Sequence, residues 1–281
     1  MDQSNFSLIN RVEQIMAGFS GEYAIYCSDE KGIISKNEEL VYETASCIKT
    51  FILLALAKSI ENETLKKDQM VKCKPEHYIN GSGILKDLSQ TVVLTLEDMA
   101  TLMIIISDNT ATNCVIDVLG IDQINDSIKE FGFKNTKLHN ELNFEKYDDL
   151  GSTTAKEYGE LFEGLLKNKF LGQEMSDWVL GILSKQKYQS MFTKSMAPSL
   201  LDEDYLSDHT STVIMSKSGS FDNVRNDGGI VRTPIGDYVL VFFTKDFKDH
   251  FYHSEHESCL YGSKVTNMLF NHFISRGGSL I

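Results

Sequence analysis

The chain has 281 residues, 42% of them apolar and 24% charged, which is the make-up of an ordinary globular protein with enough apolar matter for a sizeable core and excludes a disordered chain. Lysine and arginine number 27 against 40 acidic residues, a formal net charge of −13. Such a surface repels phosphate backbones and anionic lipid, which argues against nucleic-acid and membrane partners.

In chain order, residues 5–18 predict an amphipathic helix, with Phe6, Ile9, Val12, Ile15 and Met16 near helical spacing. Glu22–Cys27 and Gly32–Ser35 read as short strands around a turn at 28–31. From Ser46 to about residue 200 the signal is mostly helical, with apolar runs at 51–57, 99–106 and 158–166. Strand signal returns at Thr212–Met215, Gly229–Arg232 and Tyr238–Phe243, with turns at Asp222-Asn223 and 234–237. A helix over about 257–275 closes the chain. The economical architecture is a single α+β domain. Strands from both chain ends (about 1–45 and 205–281) form one antiparallel sheet, residues 46–204 form a helical lobe, and a cleft lies between them.

The longest apolar run, Phe51 to Ala57, is far short of the ~20 residues that span a bilayer. The first residues lack the basic and apolar regions of a secretory leader. The expectation is a cytoplasmic protein, or a secreted one if a leader has been removed. Five cysteines (27, 47, 73, 114, 259) without a C-x-x-C read as reduced core thiols rather than disulfides or a zinc site. His250, His253 and His256 with Glu255 and Glu257 read as a solvated loop rather than a metal cluster. His139 reads as structural. No metal and no cofactor are expected.

Three stretches carry chemistry. The pattern S-x-x-K occurs three times, at Ser28/Lys31, Ser46/Lys49 and Ser184/Lys187, where about one match is expected by chance. Only Ser46 stands at the threshold of a long apolar helical run. There the hydroxyl and the amine, three residues apart, share a helix face, and unpaired N–H groups face the hydroxyl. Apolar neighbours would destabilise the charged form of Lys49 and let it act as a base. The bland alternative is an N-cap serine with a lysine that snorkels to solvent. Ser107-Asp108-Asn109 interrupts an apolar helix. It reads either as a capped helix end or as a hydroxyl that relays a proton beside an amide that holds a carbonyl. Lys217-Ser218-Gly219 follows a strand and offers a cation, a hydroxyl and a close backbone approach. Its alternative is an ordinary strand end.

S-x-x-K, S-D-N and K-[ST]-G in this order resemble the signature of class A β-lactamases and penicillin-binding proteins. The likeness extends over nearly the whole chain. It includes Tyr42-Glu43-Thr44-Ala45-Ser46, the helix pair from Thr95 to Asn113, and Arg225-Asn226-Asp227-Gly228-Gly229-Ile230. The resemblance implies a serine hydrolase that acts on a β-lactam, or on a related peptide or ester, without a cofactor, as a monomer. Ser46 would be the nucleophile and Lys49 its base, and Ser107 would pass a proton to the leaving nitrogen. Asn109 would hold the acyl amide. Lys217 and Ser218, helped by Arg225, would bind the substrate carboxylate. The N–H groups of Ser46 and Ser220 would form the oxyanion hole. A D-alanyl peptidase or esterase, and a penicillin-binding sensor acylated without turnover, are the alternatives.

One part departs from the pattern. The family's Arg-Trp-Glu-Pro-Glu-Leu-Asn loop carries the Glu that activates the deacylating water, and here the stretch before Glu141-Leu142-Asn143 is about three residues shorter. Glu141 matches the second Glu of that loop. Acylation followed by slow deacylation is therefore expected, with Glu141 the remaining candidate for the base.

Overall fold

A computed structural model describes residues 3–197, 200–201, 211–253 and 255–281. The chain opens with α1 (Gln3–Met16), β1 (Glu22–Ser28), β2 (Ile33–Lys36) and β3 (Val41–Glu43). A 3-10 turn at Ala45–Cys47 leads into α2 (Ile48–Glu61), then β4 (Met70–Lys72), β5 (Val93–Thr95) and α3 (Leu96–Ile105). Next come α4 (Asn109–Leu119), α5 (Ile121–Glu130), β6 (Lys137–Leu138) and β7 (Gly151–Thr154). The helices α6 (Ala155–Leu166), α7 (Gln173–Leu183) and α8 (Ser190–Thr193) follow. Strands β8 (Val213–Ser216), β9 (Gly219–Phe221), β10 (Val224–Thr233) and β11 (Gly236–Lys245) precede the closing α9 (Glu257–Ser275).

Two compact units result, one of residues 1–42, 154–162 and 189–281, the other of 43–153 and 163–188. Residues 154–162 and 189–197, placed with the helices on sequence grounds, thus fall in the sheet unit. The boundary expected at 204/205 lies outside the described residues.

In the first unit the strands from both chain ends form one antiparallel sheet, ordered β2-β1-β11-β10-β8, with β9 also paired to β10. The inner strands read as near-continuous apolar runs because both of their faces are covered. On one face Leu8, Val12 and Met16 of α1 and Val265, Leu269 and Phe273 of α9 pack with Ile25, Leu240 and Phe242. On the other, Tyr158 of α6 lies against Phe162 and Phe243. Strand β10 starts five residues earlier than the expected Gly229. Its first half, Arg225-Asn226-Asp227, is polar yet buried, so hydrophobic alternation does not mark it.

The second unit is built around α2. Every residue from Ile48 to Ala57 is buried, as a helix apolar all round must be. Its partners are aromatic and aliphatic, with Phe51 edge-on to Phe133 and Phe133 tilted on Phe170. The short strand pairs β4–β5 and β6–β7 interrupt the helices. At two to four residues they are too brief to show a period of two. No helix of the described residues is long and apolar enough to cross a membrane.

Candidate active site

Ser46 lies in the 3-10 turn ahead of α2. The N-cap position of that helix is Cys47, with no side-chain cap bond, so Ser46 is not a capping serine. The turn is held under strain. Ala45 has φ +44°, a left-handed conformation costly for a residue with a Cβ. A carboxylate oxygen of Glu43 accepts from the Ala45 N–H at 2.8 Å, and Thr44 N–H donates to Gly151 O at 2.9 Å.

Lys49 is fully buried. It is the second residue of α2, and its burial excludes the snorkelling alternative. Its Nζ donates to Ser107 O at 2.8 Å, Ser107 Oγ at 3.0 Å and Asn109 Oδ1 at 2.9 Å. Three oxygens thus replace the lost water around the buried amine. Two of the expected catalytic residues and one expected binding residue therefore meet at one nitrogen, although 58 and 60 positions separate them.

The Ser107 corner explains how. Ser107 has φ +55°, which turns both its carbonyl and its hydroxyl toward Lys49. Asp108 is the true N-cap of α4, accepting from Ala111 N–H at 2.9 Å. Its second oxygen takes the N–H groups of Ile84 and Leu85 at 2.7 and 2.9 Å. Gly83, at φ +100°, approaches Asp108 so closely that a Cβ would overlap its carboxylate. Asn109 donates through Nδ2 to Asn80 O at 3.0 Å, leaving its second amide hydrogen available.

The departing loop is fastened by side chains. Asn125 of α5 binds both backbone groups of Leu138, accepting at 2.9 Å and donating at 2.8 Å. Asn113 of α4 does the same for Leu142, accepting and donating at 2.9 Å. The far end is held by Glu43, whose other oxygen accepts from Leu150 N–H at 3.2 Å. Burial is the main cause that pushes the Glu43 carboxyl up to about 7, against the two N–H bonds. Glu141 lies between the two asparagine clips and is exposed. His139 is structural, bonded to Asp149 at 2.7 Å and Ser152 at 3.1 Å.

In the sheet unit, Lys217 sits in the break between β8 and β9 and is fully buried. Its carbonyl accepts from the Tyr158 hydroxyl at 2.9 Å, and its Nζ donates to Ser218 O at 2.5 Å. Gly228 makes room for Tyr158, since a Cβ there would stand 2.7 Å from the ring. Asp227 beneath is fully buried, and burial pushes its carboxyl well up while the Lys217 charge opposes this. Ser220 pairs with Arg225 across β9–β10. The Arg225 guanidinium donates to the carbonyls of Phe221 and Val224, with its carbon 4.6 Å from the Tyr252 ring centroid. Its Nη2 has no hydrogen-bond partner among the described residues.

Ser28 and Ser184 face no such arrangement. Lys31 reaches toward Gly278 O, and Ser184 bonds back to Gly181 O in its own helix. In the histidine-rich loop, His253 pairs with Asp249 at 2.8 Å, while His256 is buried and caps α9 through Ser258 N–H. His256 is therefore a cap rather than a solvated side chain. The five cysteines are free, as expected, and four of them are buried. Cys73 and Cys114 are free thiols but not isolated, lying side by side with His77.

The profile of the Beta-lactamase enzyme family matches residues 7–273. The chain belongs to that family. Among solved structures, a beta-lactamase from Sphaerobacter thermophilus DSM 20745 is 24% identical, with a TM-score of 0.79, covering 94% of this chain and 96% of its own. PBP-A is 23% identical, with a TM-score of 0.81 and coverages of 96% and 96%. A class A beta-lactamase representative from Bacteroides cellulosilyticus DSM 14838 is 17% identical, with a TM-score of 0.83 and coverages of 98% and 100%. No curated protein sequence matches the chain. The fold is thus that of the class A β-lactamases, and the protein is a hydrolase of the β-lactamase kind.

Sequence reasoning missed the residues that position the others: Glu43, Asn113, Asn125, Tyr158 and Asp227. Their neighbours in the sequence are themselves polar or mixed, so no local pattern singles them out.

Proposed function

We propose that this β-lactamase-family protein is a serine hydrolase that opens β-lactam rings through an acyl-Ser46 intermediate and releases the product slowly. The observation that carries the reading is the burial of Lys49 with its Nζ bonded to both Ser107 Oγ and Asn109 Oδ1. Lys49, after giving up one of its three ammonium protons, takes the Ser46 proton as the serine oxygen attacks the ring carbonyl, a role typically worth ~10²–10⁴-fold. Ser107 passes a proton to the departing ring nitrogen. Asn109 holds the acyl amide with its second amide hydrogen. Lys217 and Ser218, with Arg225, take the substrate carboxylate. The N–H groups of Ser46 and Ser220 receive the developing oxyanion. PBP-A, which shares this fold, has been solved as an acyl-enzyme with penicillin-G in a mutant form, which supports penicillin as the first probe.

Release needs a base near the ester. Glu141 is exposed and its backbone is held between the clips at Leu138 and Leu142, so it stays at the surface. Intact-mass spectra with a simple penicillin are expected to show the chain shifted by one penicillin for minutes or longer. Ser46→Ala removes the adduct; Ser28→Ala and Ser184→Ala keep it. Glu141→Gln leaves turnover unchanged. Rapid consumption of penicillin without a detectable adduct contradicts slow release, and an adduct that survives Ser46→Ala contradicts the nucleophile. Hydrolysis of a p-nitrophenyl ester with no reaction on a chromogenic cephalosporin moves the assignment to an esterase or peptidase on the same fold.

A further inference from the structure

Outside the residues assigned above, Cys73, His77 and Cys114 form a second buried cluster. Their ligand atoms all lie within 4.8 Å of one another. The Cys114 Sγ is 2.7 Å from Cys73 Sγ and 3.2 Å from His77 Nδ1. Cys73 follows β4, His77 ends the 3-10 turn Pro75–His77, and Cys114 lies in α4. Three separate elements thus aim soft donors at one point, and at most 7% of any of the three residues is exposed.

We propose that Cys73, His77 and Cys114 bind a zinc ion, with water in the fourth position. Two thiolates and one imidazole are the soft and borderline donors that select zinc in a tetrahedral site. On binding, both thiols lose their protons to solvent and two S–Zn bonds form. Two thiolates and a neutral imidazole then balance the divalent charge, so a neutral cluster is buried. The sulfurs stand closer than ordinary van der Waals contact, and an ion about 2.3 Å from each sets them about 3.8 Å apart. His77 Nδ1 is the inward nitrogen, sharing its lone pair between Cys114 and a long 3.2 Å contact from Lys74 N–H, which the ion replaces. The outward Nε2 lies 3.7 Å from Asp117 Oδ2. That is longer than a hydrogen bond, and the same oxygen accepts from Lys74 Nζ at 2.7 Å; a small closure would give the ring the carboxylate support usual for a metal-bound histidine, which fixes its tautomer and orientation.

The test uses the full chain, reduced and stripped of metal, then given zinc chloride or cobalt(II) chloride and passed through a desalting column. Close to one zinc per chain is expected by elemental analysis. The cobalt form should show the visible bands of a tetrahedral ion and the near-ultraviolet band of thiolate ligation. Cys73→Ser and His77→Ala should lose at least tenfold in affinity, and Asp117→Asn, at a half-exposed position, about 10–100-fold while still folding. Ser46→Ala should bind zinc fully, which separates this site from the hydrolase reading. A reduced wild-type chain that takes up neither ion overturns the proposal, as does zinc retained unchanged by both Cys73→Ser and His77→Ala. A Cys73–Cys114 disulfide, found by mass in a chain that takes up no zinc after reduction, overturns it equally. The cobalt spectrum of the wild type decides the matter even if a variant fails to fold.

Discussion

A buried carboxyl that accepts two backbone N–H groups is pulled two ways, and Glu43 shows which pull is greater. Burial raises its pKa from 4.5 to about 7 despite the bonds from Ala45 and Leu150, with Asp149 adding to the rise and His139 opposing it. The folded protein therefore holds a proton there that the unfolded chain has given up between pH 4.5 and 7. Stability contributed by the protonated form is complete below the unfolded value and is lost as pH rises through the folded one. The expected loss is about 3 kcal/mol between pH 4.5 and 8, at 1.36 kcal/mol per pKa unit. Glu43→Gln carries no such proton, so in urea unfolding the advantage of the wild type over this variant should shrink by that amount across the window. An advantage that is flat with pH refutes the assignment. Because Glu43 fixes the turn before Ser46, the same titration loosens or tightens the candidate nucleophile's own backbone.

At the scale of elements, a single carboxylate joins the start of α4 to the loop at residues 82–85. Asp108 satisfies three backbone donors, those of Ala111, Ile84 and Leu85. A lost cap costs about 1 kcal/mol, and each further buried N–H left unpaired adds roughly 1–3 kcal/mol. Asp108→Ala should destabilise by about 3 kcal/mol or more, and Asp108→Asn, which keeps one acceptor oxygen, by about half as much. Equal losses for the two variants would mean that the loop bonds carry no weight. This residue also shows what the sequence could disclose about elements. The helices α1, α2 and α9 were legible because apolar spacing alone decides them, and β11 because its run is unbroken. Strand β10 was legible only in its apolar second half, since Arg225, Asn226 and Asp227 are buried for reasons other than hydrophobicity. That Asp108 caps a helix was a reading open from its position; that its other oxygen holds a loop some 23 residues earlier was not.

Over the whole molecule, the resemblance carried by the S-x-x-K, S-D-N and K-[ST]-G stretches pointed to the family and the fold that the family profile and the solved structures show. The fasteners between elements were hidden, because a polar residue on a helix reads the same in sequence whether it bonds across the unit or faces solvent. Asn113 and Asn125 are the plainest instance, and they have a kinetic consequence. An asparagine side chain carries a carbonyl and an NH2 group, and with its oxygen and one of its two amide hydrogens each of these two pairs with a backbone as a strand residue does. The amide hydrogens of Leu138 and Leu142 are locked inside such pairs, whereas those of Glu145, Lys146 and Tyr147 donate only to Asn143 within their own turn. In heavy water, Leu142 should therefore exchange its amide hydrogen far more slowly than residues 144–148, although all belong to one surface loop. Asn113→Ala should bring it to the rate of its neighbours. The loop is then not one mobile lid but a short self-bonded turn hung from pinned ends, and whatever motion accompanies product release is confined to that turn.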